Sequence, residues 1–248
     1  MIDINCDVGE GLHNEHILMP FISSCNIACG GHAGSVEIID KVIDLAIEND
    51  VKIGAHPSFP DRENFGRVIM NISNKALQQS LYEQLQVFKE RADLKGAVIH
   101  HVKPHGALYN LIAVNEEKAT VVVSVIQRAF KDVKIYVPYN SAIEKVALAN
   151  QMTIVYEAFA DRNYNDDLTL VSRALPYAII TDRLKIVEHV RRMAEESLVK
   201  TVQGNEKQIK AQTFCVHGDN KNAIDILKEL NEKFISPRLE SRGLGMQS

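Results

Sequence analysis

Short apolar runs and longer amphipathic runs alternate along most of the chain. Seven short runs have the length and apolar content of strands, and they cover residues 2–8, 24–29, 51–55, 97–103, 133–137, 152–158 and 212–217. The longer runs place apolar residues at helical spacing and predict helices at 35–49, 73–93, 116–130, 140–150, 182–197 and 220–235. Ser35 and Ser73 are the expected N-caps of the first two helices. This alternation is typical of a parallel sheet with right-handed crossovers.

About seven strand–helix units in 248 residues predict one α/β domain. We expect a single-domain (β/α)7-type barrel, closed or nearly closed on itself, with an open doubly wound sheet as the structural alternative. The barrel domain is placed at residues 1–235, and residues 236–248 form a polar tail that we expect to be flexible. Two long loops, 56–72 and 160–181, are of a length that often carries function.

Composition narrows the classes of partner and compartment. The formal net charge of −4 gives no broad basic surface, so we expect no nucleic-acid partner. No run approaches 18 consecutive apolar residues, so no membrane partner is expected either. The first residues lack the basic start and long apolar stretch of a secretory signal, which favours a cytoplasmic protein. The four cysteines form no C-x-x-C pair and are expected to be reduced and buried.

The first predicted strand separates polar from apolar positions. Asp3, Asn5 and Asp7 share one face, and the residues between them are apolar and face the other way. The polar face would point into a barrel, where a carboxylate needs a cation, a metal or hydrogen bonds. Asp7 lies nearest the carboxyl end of the strand and is the candidate for chemistry, whereas Asp3 is interpreted as structural. Glu10, in the following loop, is either a ligand or an exposed side chain.

Further chemical side chains follow other strands where those strands end. They are His32, His56, Lys103 with His105, Asp161, and His217 with Asp219. Catalytic residues of parallel barrels come from the carboxyl ends of several strands, so this coincidence predicts an enzyme. An aspartate with two histidines suits Zn²⁺ or Mn²⁺, and the tentative metal ligands are Asp7, His32 and His56. Without a metal, aspartate and histidine could act as general bases, and the sequence does not choose.

Several common catalytic motifs do not occur in the chain. There is no G-x-x-x-x-G-K-[ST] phosphate loop, no G-x-G-x-x-G after the first strand and no G-x-S-x-G turn. The sequence therefore supports neither a dinucleotide-dependent enzyme nor a serine hydrolase.

The motifs together resemble those of the LamB/YcsF family. The matching segments are DINCDVGEG at 3–11, SCNIACGGHAG at 24–34, IGAHPSFPD at 53–61, FGR at 65–67, HVKPHGALYN at 101–110, EAFADRNY at 157–164 and CVHGD at 215–219. The resemblance implies a barrel like that of glycoside hydrolases and deacetylases. It implies an ATP-dependent 5-oxoprolinase, which hydrolyses the lactam of 5-oxoproline (pyroglutamate) to L-glutamate while ATP becomes ADP and phosphate. It also implies partner subunits, B and C.

The resemblance and the strand ends together give a set of roles. Because the chain has no recognisable nucleotide loop, a partner subunit is expected to bind ATP. The candidate catalytic residues are Asp7, Lys103, His105, Asp161 and His217, and the candidate substrate-binding residues are Asn5, Asn26, Arg67, Tyr109, Arg162 and Asp219. Asp7 and His105 are base or metal-ligand candidates, and Lys103 and Arg67 would stabilise negative charge.

Two other functions stay open at the level of sequence. The first is a stand-alone metal-dependent deacetylase or amidohydrolase of a carbohydrate-type substrate, which rests on the aspartate–histidine set and on fold analogy. The second is a non-catalytic subunit that binds substrate and delivers it to partners.

Overall fold

The seven predicted strands close into one parallel barrel in the computed structural model, which describes residues 2–234. The barrel strands are β1 (Asp3–Val8), β2 (Ser24–Ala28), β3 (Lys52–His56), β4 (Ile99–Val102), β5 (Lys134–Pro138), β6 (Ile154–Phe159) and β9 (Thr213–Val216). They follow chain order around the barrel, and β9 closes it by pairing in parallel with both β1 and β6. The barrel prediction is confirmed, and the open sheet is excluded.

Helices lie in the connections between the strands and after the last strand. Six of the eight within residues 2–234 were predicted, and those at 15–18 and 106–114 were not. The helices are α1 (Glu15–Leu18), α2 (Val36–Glu48), α3 (Asn74–Leu94), α4 (Gly106–Val114), α5 (Glu116–Ala129), α6 (Ala142–Ala149), α7 (Arg183–Arg191) and α8 (Ala223–Phe234). Ser35 and Ser73 accept hydrogen bonds from backbone amides of the first turns of α2 and α3, so both predicted N-caps are confirmed. The predicted tail at 236–248 lies outside the described residues.

Several elements were not predicted from the pattern. α4 is short and apolar, so it lacks the polar face that marks an amphipathic helix. A small antiparallel hairpin, β7 (Leu198–Lys200) with β8 (Glu206–Gln208), stands beside the barrel, and its strands are too short to show a period. The end of α7 continues as one π-helical turn over Arg192–Glu196. These elements add to the predicted architecture without altering its order.

The barrel interior is polar, and the layer between barrel and helices is apolar. Ile4, Cys6 and Val8 on β1 belong to the hydrophobic core, as the alternation predicted. Asn5 points inward, where its amide donates to Glu157 Oε1 (3.0 Å) and to the Thr213 hydroxyl (2.9 Å). Asn5, Glu157 and Thr213 are thus joined by hydrogen bonds across the barrel, which lowers the cost of burying their polar groups.

Two other predictions concern the whole chain. All four cysteines are free and buried, as expected. Among the helices of residues 2–234, none has both the length and the apolar character needed to cross a membrane.

Candidate active site

A cavity of about 690 Å³ opens where the barrel strands end at their carboxyl termini. Its floor includes Asp7, Lys103 and Glu157, and its wall includes residues of the two long loops, among them Arg67 and Arg173. Strand ends and long loops therefore meet at one site, as they do in other parallel barrels.

A buried lysine with several acceptors forms the floor of this cavity. Lys103 Nζ lies 3.0 Å from Asp7 Oδ1, 2.9 Å from Glu157 Oε1 and 3.0 Å from Cys215 Sγ. Asn5 Oδ1 accepts a further hydrogen bond from it at 3.3 Å. These five residues are called the lysine cluster below. The Lys103 side chain is only 2% exposed, so its charge is compensated by protein groups and not by water.

Lys103 and Asp7 of the lysine cluster are both held in their ionised forms. Burial alone would lower the pKa of Lys103, but the nearby Asp7, Cys215 and Glu157 outweigh burial and raise it well above its usual value. Burial alone would raise the pKa of Asp7, and His56 and Lys103 outweigh it and hold that pKa well below its usual value. Asp7 is therefore a weak base, and it is better suited to stabilising positive charge than to abstracting a proton.

A second buried cluster lies beside the first and consists of one carboxylate and three imidazoles. Its members, called the histidine cluster below, are Glu10, His32, His56 and His105. Glu10 Oε1 lies 3.0 Å from His32 Nε2, 3.4 Å from His105 Nδ1 and 3.8 Å from His56 Nε2. The Glu10 side chain is only 6% exposed, so of its two sequence interpretations the exposed one is wrong.

The loop 57–67 fixes His105 through its backbone. Phe65 adopts a left-handed φ of 55°, and Gly66 follows at 63°. The Phe65 carbonyl then accepts a hydrogen bond from His105 Nε2 at 2.9 Å. A Cβ on Gly106 would stand 2.7 Å from the Gly66 carbonyl oxygen, so the loop and the start of α4 can approach only through glycine.

An aspartate–histidine pair forms another side of the cavity. Asp161 Oδ1 lies 2.8 Å from His217 Nδ1, and Asp161 Oδ2 accepts a hydrogen bond from the Asn220 amide at 3.1 Å. The Phe159 ring stacks on His217 with centroids 5.3 Å apart. Because Nδ1 is engaged by the carboxylate, Nε2 of His217 is the nitrogen left to exchange a proton in the cavity.

Charged residues of three loops meet at the rim. Arg67 donates to Asp219 Oδ2 at 2.6 Å, and Arg173 approaches the same oxygen at 3.4 Å. Burial alone would raise the pKa of Asp219, but the Arg67 hydrogen bond and the Arg173 charge lower it. Two guanidinium groups share one carboxylate here, so the rim can attract an anion.

The structure places the other predicted substrate contacts in different settings. Tyr109 lines the cavity, and burial and Glu157 raise the pKa of its hydroxyl well above the usual value. Asn26 lies under the floor, fully buried, where it joins Asn5, Asp7 and His101. Arg162 also lines the cavity, but its guanidinium donates to the backbone carbonyls of Val171 and Ala178 and so holds the loop 160–181.

The predicted metal ligands do not form one group. His32 and His56 come together with Glu10 and His105, whereas Asp7 groups with Cys215 and His217. Asp7 still lies close by, since its Oδ2 is 3.5 Å from His56 Nε2.

Three residues of the site were missing from the predicted set. Glu10 had an ambiguous position in a loop, and Arg173 lies in a loop without periodicity. Glu157 could have been found, because alternation along β6 places it on the face of Phe159 and Asp161. For Glu10 and Arg173, the role in the site is evident only from partners distant in sequence.

The fold and the site define a (β/α)7-barrel protein with an enzyme-like cavity at the strand ends. The chain belongs to the LamB/YcsF family, which it matches over residues 2–245. It is 38% identical over 232 residues to a Haemophilus influenzae protein named as the A subunit of 5-oxoprolinase, covering 94% of this chain and 95% of that protein. A protein of the same name from Histophilus somni is 40% identical over 238 residues, covering 94% of this chain and 96% of that one.

A solved structure agrees with the fold. The crystal structure of a lactam utilization protein from Thermus thermophilus superposes with a TM-score of 0.87 at 31% identity. The match covers 98% of this chain and 97% of that one. The family resemblance predicted from the motifs is confirmed over nearly the whole chain.

Proposed function

We propose that this chain is the lactam-binding subunit of a cytoplasmic, ATP-dependent 5-oxoprolinase that acts with subunits B and C. The names of its relatives support a role in 5-oxoproline use. The observation that carries the proposal is the lysine cluster, which offers a buried, ionised ammonium group at the floor of a cavity of small-molecule size. A lactam carbonyl or its phosphorylated form develops negative charge on oxygen during hydrolysis, and Lys103 is placed to stabilise it.

The Asp161–His217 pair supplies the acid–base function. Once the lactam oxygen carries the phosphoryl group from ATP, water adds to the lactam carbon and its proton passes to His217 Nε2. The C–N bond then breaks as the ring nitrogen accepts that proton, and the acyl phosphate that remains is hydrolysed by a second water to L-glutamate and phosphate. Asp161 orients the imidazole and stabilises its charged form. Burial would raise the pKa of Asp161, but His217 lowers it, so the carboxylate stays ionised.

The rim supplies the contact for the substrate carboxylate. Arg67 and Arg173 share Asp219, so either guanidinium can turn toward an incoming carboxylate. ATP is bound mainly by a partner subunit, since the sequence holds no recognised nucleotide loop. Phosphorylation of the lactam oxygen would make an unstrained amide reactive enough to open.

A coupled assay tests the proposal. The chain is mixed with 5-oxoproline and ATP, with and without subunits B and C, and glutamate and phosphate are measured. We expect glutamate and phosphate in equal amounts and only in the complete mixture. His217→Gln should lower the rate of the complete mixture by at least about 100-fold, because the base is lost. Full activity of the chain alone, or of His217→Gln in the mixture, would contradict the proposal.

The histidine cluster favours a second function. A stand-alone metal-dependent amidohydrolase or deacetylase would use such a cluster to polarise a carbonyl group. It predicts hydrolysis of an N-acetylated sugar by the chain alone, without ATP, and loss of that activity on chelation.

A further inference from the structure

Hydrogen bonds to backbone carbonyls define which ring nitrogen carries the proton in two members of the histidine cluster, His56 and His105. His56 Nδ1 lies 2.6 Å from the Lys103 carbonyl oxygen, and His105 Nε2 lies 2.9 Å from that of Phe65. A carbonyl oxygen only accepts, so both of these nitrogens carry the proton. The remaining nitrogens, His56 Nε2 and His105 Nδ1, face each other at 2.9 Å. In the neutral rings both are lone pairs, which cannot approach this closely unless a proton or a metal ion lies between them.

This arrangement is the one in which proteins present histidine to metals. A metal-binding histidine usually donates its other ring N–H to a carbonyl or carboxylate, which fixes the tautomer and the ring orientation. His56 and His105 both have such a carbonyl partner. His32 is held instead by stacking on His105, with ring centroids 3.6 Å apart and the planes 2° from parallel.

The spacing of the ligand atoms distinguishes a metal ion from a shared proton. A tetrahedral ion with ligands at about 2.0–2.1 Å requires its ligand atoms to be about 3.3–3.4 Å apart. Four of the six distances among Glu10 Oε1, His32 Nε2, His56 Nε2 and His105 Nδ1 are 3.0, 3.8, 3.4 and 2.9 Å. A shared proton bridges only two atoms, whereas these four residues each offer a ligand atom within 4.8 Å of the other three.

The charges around the site also favour a divalent cation. The two clusters contain three buried carboxylates, Asp7, Glu10 and Glu157, and one buried lysine. The buried carboxylates of the two clusters therefore outnumber the buried ammonium group by three to one. A buried excess of this size requires a counter-charge, and one divalent ion supplies it.

The neighbouring group of Asp7, Cys215 and His217 is a weaker candidate. Lys103 Nζ already contacts Asp7 Oδ1 and Cys215 Sγ, both at 3.0 Å, so an ammonium group occupies the position that a metal would need. Burial also raises the pKa of the Cys215 thiol well above its usual value, which disfavours the thiolate that a metal would bind.

We propose that Glu10, His32, His56 and His105 bind one divalent transition-metal ion of the zinc type, and that Asp7 is not a ligand. Three imidazoles and one carboxylate suit Zn²⁺ and Co²⁺ better than Mg²⁺ or Ca²⁺, which prefer oxygen ligands. Because Glu10, His56 and His105 line the cavity, a bound ion would face the substrate and could polarise its carbonyl group. Only this chemical role rests on the proposed function; the binding itself does not.

Metal binding is measured directly on the full chain. The protein is stripped with a chelator and dialysed against Zn²⁺ or Co²⁺, and bound metal is counted by mass spectrometry. We expect about one ion per chain, the intense visible absorption of tetrahedral cobalt, and a higher thermal midpoint with zinc than without it. His56→Ala and Glu10→Gln should each weaken binding by more than about 100-fold, since the loss of a ligand exceeds that of a supporting residue.

Two control variants decide the identity of the ligands. His16→Ala removes an exposed histidine outside the cluster and should leave metal binding unchanged. Asp7→Asn should weaken binding by no more than about tenfold, as expected for a neighbour outside the ligand set. Circular dichroism at matched temperature shows whether each variant is folded, and Glu10→Gln provides a second ligand variant if His56→Ala does not fold.

The possible results are distinguishable from those of the lactam assay. Less than about 0.1 ion per chain in the wild type would overturn the metal site. Equal loss in Asp7→Asn and Glu10→Gln would overturn the four-ligand assignment. The measurement uses no lactam, ATP or partner, so a chain that binds one ion but fails in the coupled assay would refute the proposed function alone. An active complex whose chain binds no ion would refute only the metal site.

Discussion

The lysine cluster and the histidine cluster lie side by side in one cavity, yet they handle buried charge in opposite ways. In the lysine cluster the cation is part of the chain, because Lys103 contacts Asp7 and Glu157 within 3.0 Å. In the histidine cluster Glu10 faces three imidazoles and has no lysine or arginine among its ion-pair partners within residues 2–234. The lysine cluster thus contains its own cation, whereas the histidine cluster is arranged to bind a cation from solution.

A buried polar network lies beneath the lysine cluster. Asn26 donates to Asn5 and to Asp7, and it accepts from His101, which stacks on Tyr136. This network orients the lysine cluster from below, whereas the histidine cluster is oriented by the carbonyls of Phe65 and Lys103. The two clusters should therefore respond to different substitutions.

The largest expected effect comes from removing the internal cation. Lys103→Met leaves Asp7 and Glu157 buried without their partner and should reduce the free energy of unfolding by about 3–5 kcal/mol. Urea unfolding of the wild type and the variant measures this loss of unfolding free energy. Lys52→Met is the matched control, because Lys52 pairs with Asp3 at the surface and should cost less than about 1 kcal/mol. Similar losses in the two variants would mean that the lysine cluster is not the complete ion network described above.

The next largest effect is expected from a substitution of Asn26 in the buried polar network. Asn26→Ala removes the partner of three buried polar groups and should cost about 1–3 kcal/mol of unfolding free energy. Asn150→Ala, at an exposed helix end, should change it by less than about 1 kcal/mol in the same urea experiment. If Asn26→Ala loses more free energy of zinc binding than free energy of unfolding, the two clusters are not oriented separately.

The floor should also give the stability a dependence on pH. Burial lowers the pKa of His101 well below its usual value, so this histidine is neutral in the folded chain. Below about pH 6.5 the unfolded chain binds the proton at His101 and the folded chain does not. The free energy of unfolding therefore decreases by about 1 kcal/mol for each pH unit by which the pH is lowered. Urea unfolding between about pH 7.5 and 5.5 tests this sign. His101→Gln should show a shallower dependence, and an unchanged slope would assign the effect to other groups.

The smallest effect is expected at the rim, which belongs to neither cluster. Arg173→Ala should raise the KM for 5-oxoproline about fivefold and change the unfolding free energy by less than about 1 kcal/mol, because the pair is partly exposed. Arg183→Ala, on the exposed start of α7, is the matched control for KM. A fall in kcat without a change in KM would place Arg173 in the chemistry and not in substrate binding.

Much of the fold could be predicted from local pattern. The seven barrel strands were predicted from short apolar runs, and the long amphipathic helices from apolar residues at a period of about 3.6, because each such helix buries one face. The short apolar α4 and the hairpin of β7 and β8 leave no such period, so they became visible only in the structure.

The residues of the candidate site also fall into those predicted from local pattern and those identified only in the structure. The position of Asp7, Lys103 and His217 in the site could be predicted, because alternation and the parallel topology place their side chains at one end of the barrel. The pairing of Glu10 with the histidines, of Glu157 with Lys103 and of Arg173 with Asp219 was not readable, since each joins residues from different loops or strands.

The sequence by itself determined the barrel, its order and its family, because these depend on periodicity and on local motifs. Tertiary structure alone decided which carboxylate faces which cation, because that choice depends on distances of a few ångströms between segments far apart in the chain. Asp7 is the clearest case: the sequence suggested it as a metal ligand, and the structure places its Oδ1 3.0 Å from Lys103 Nζ.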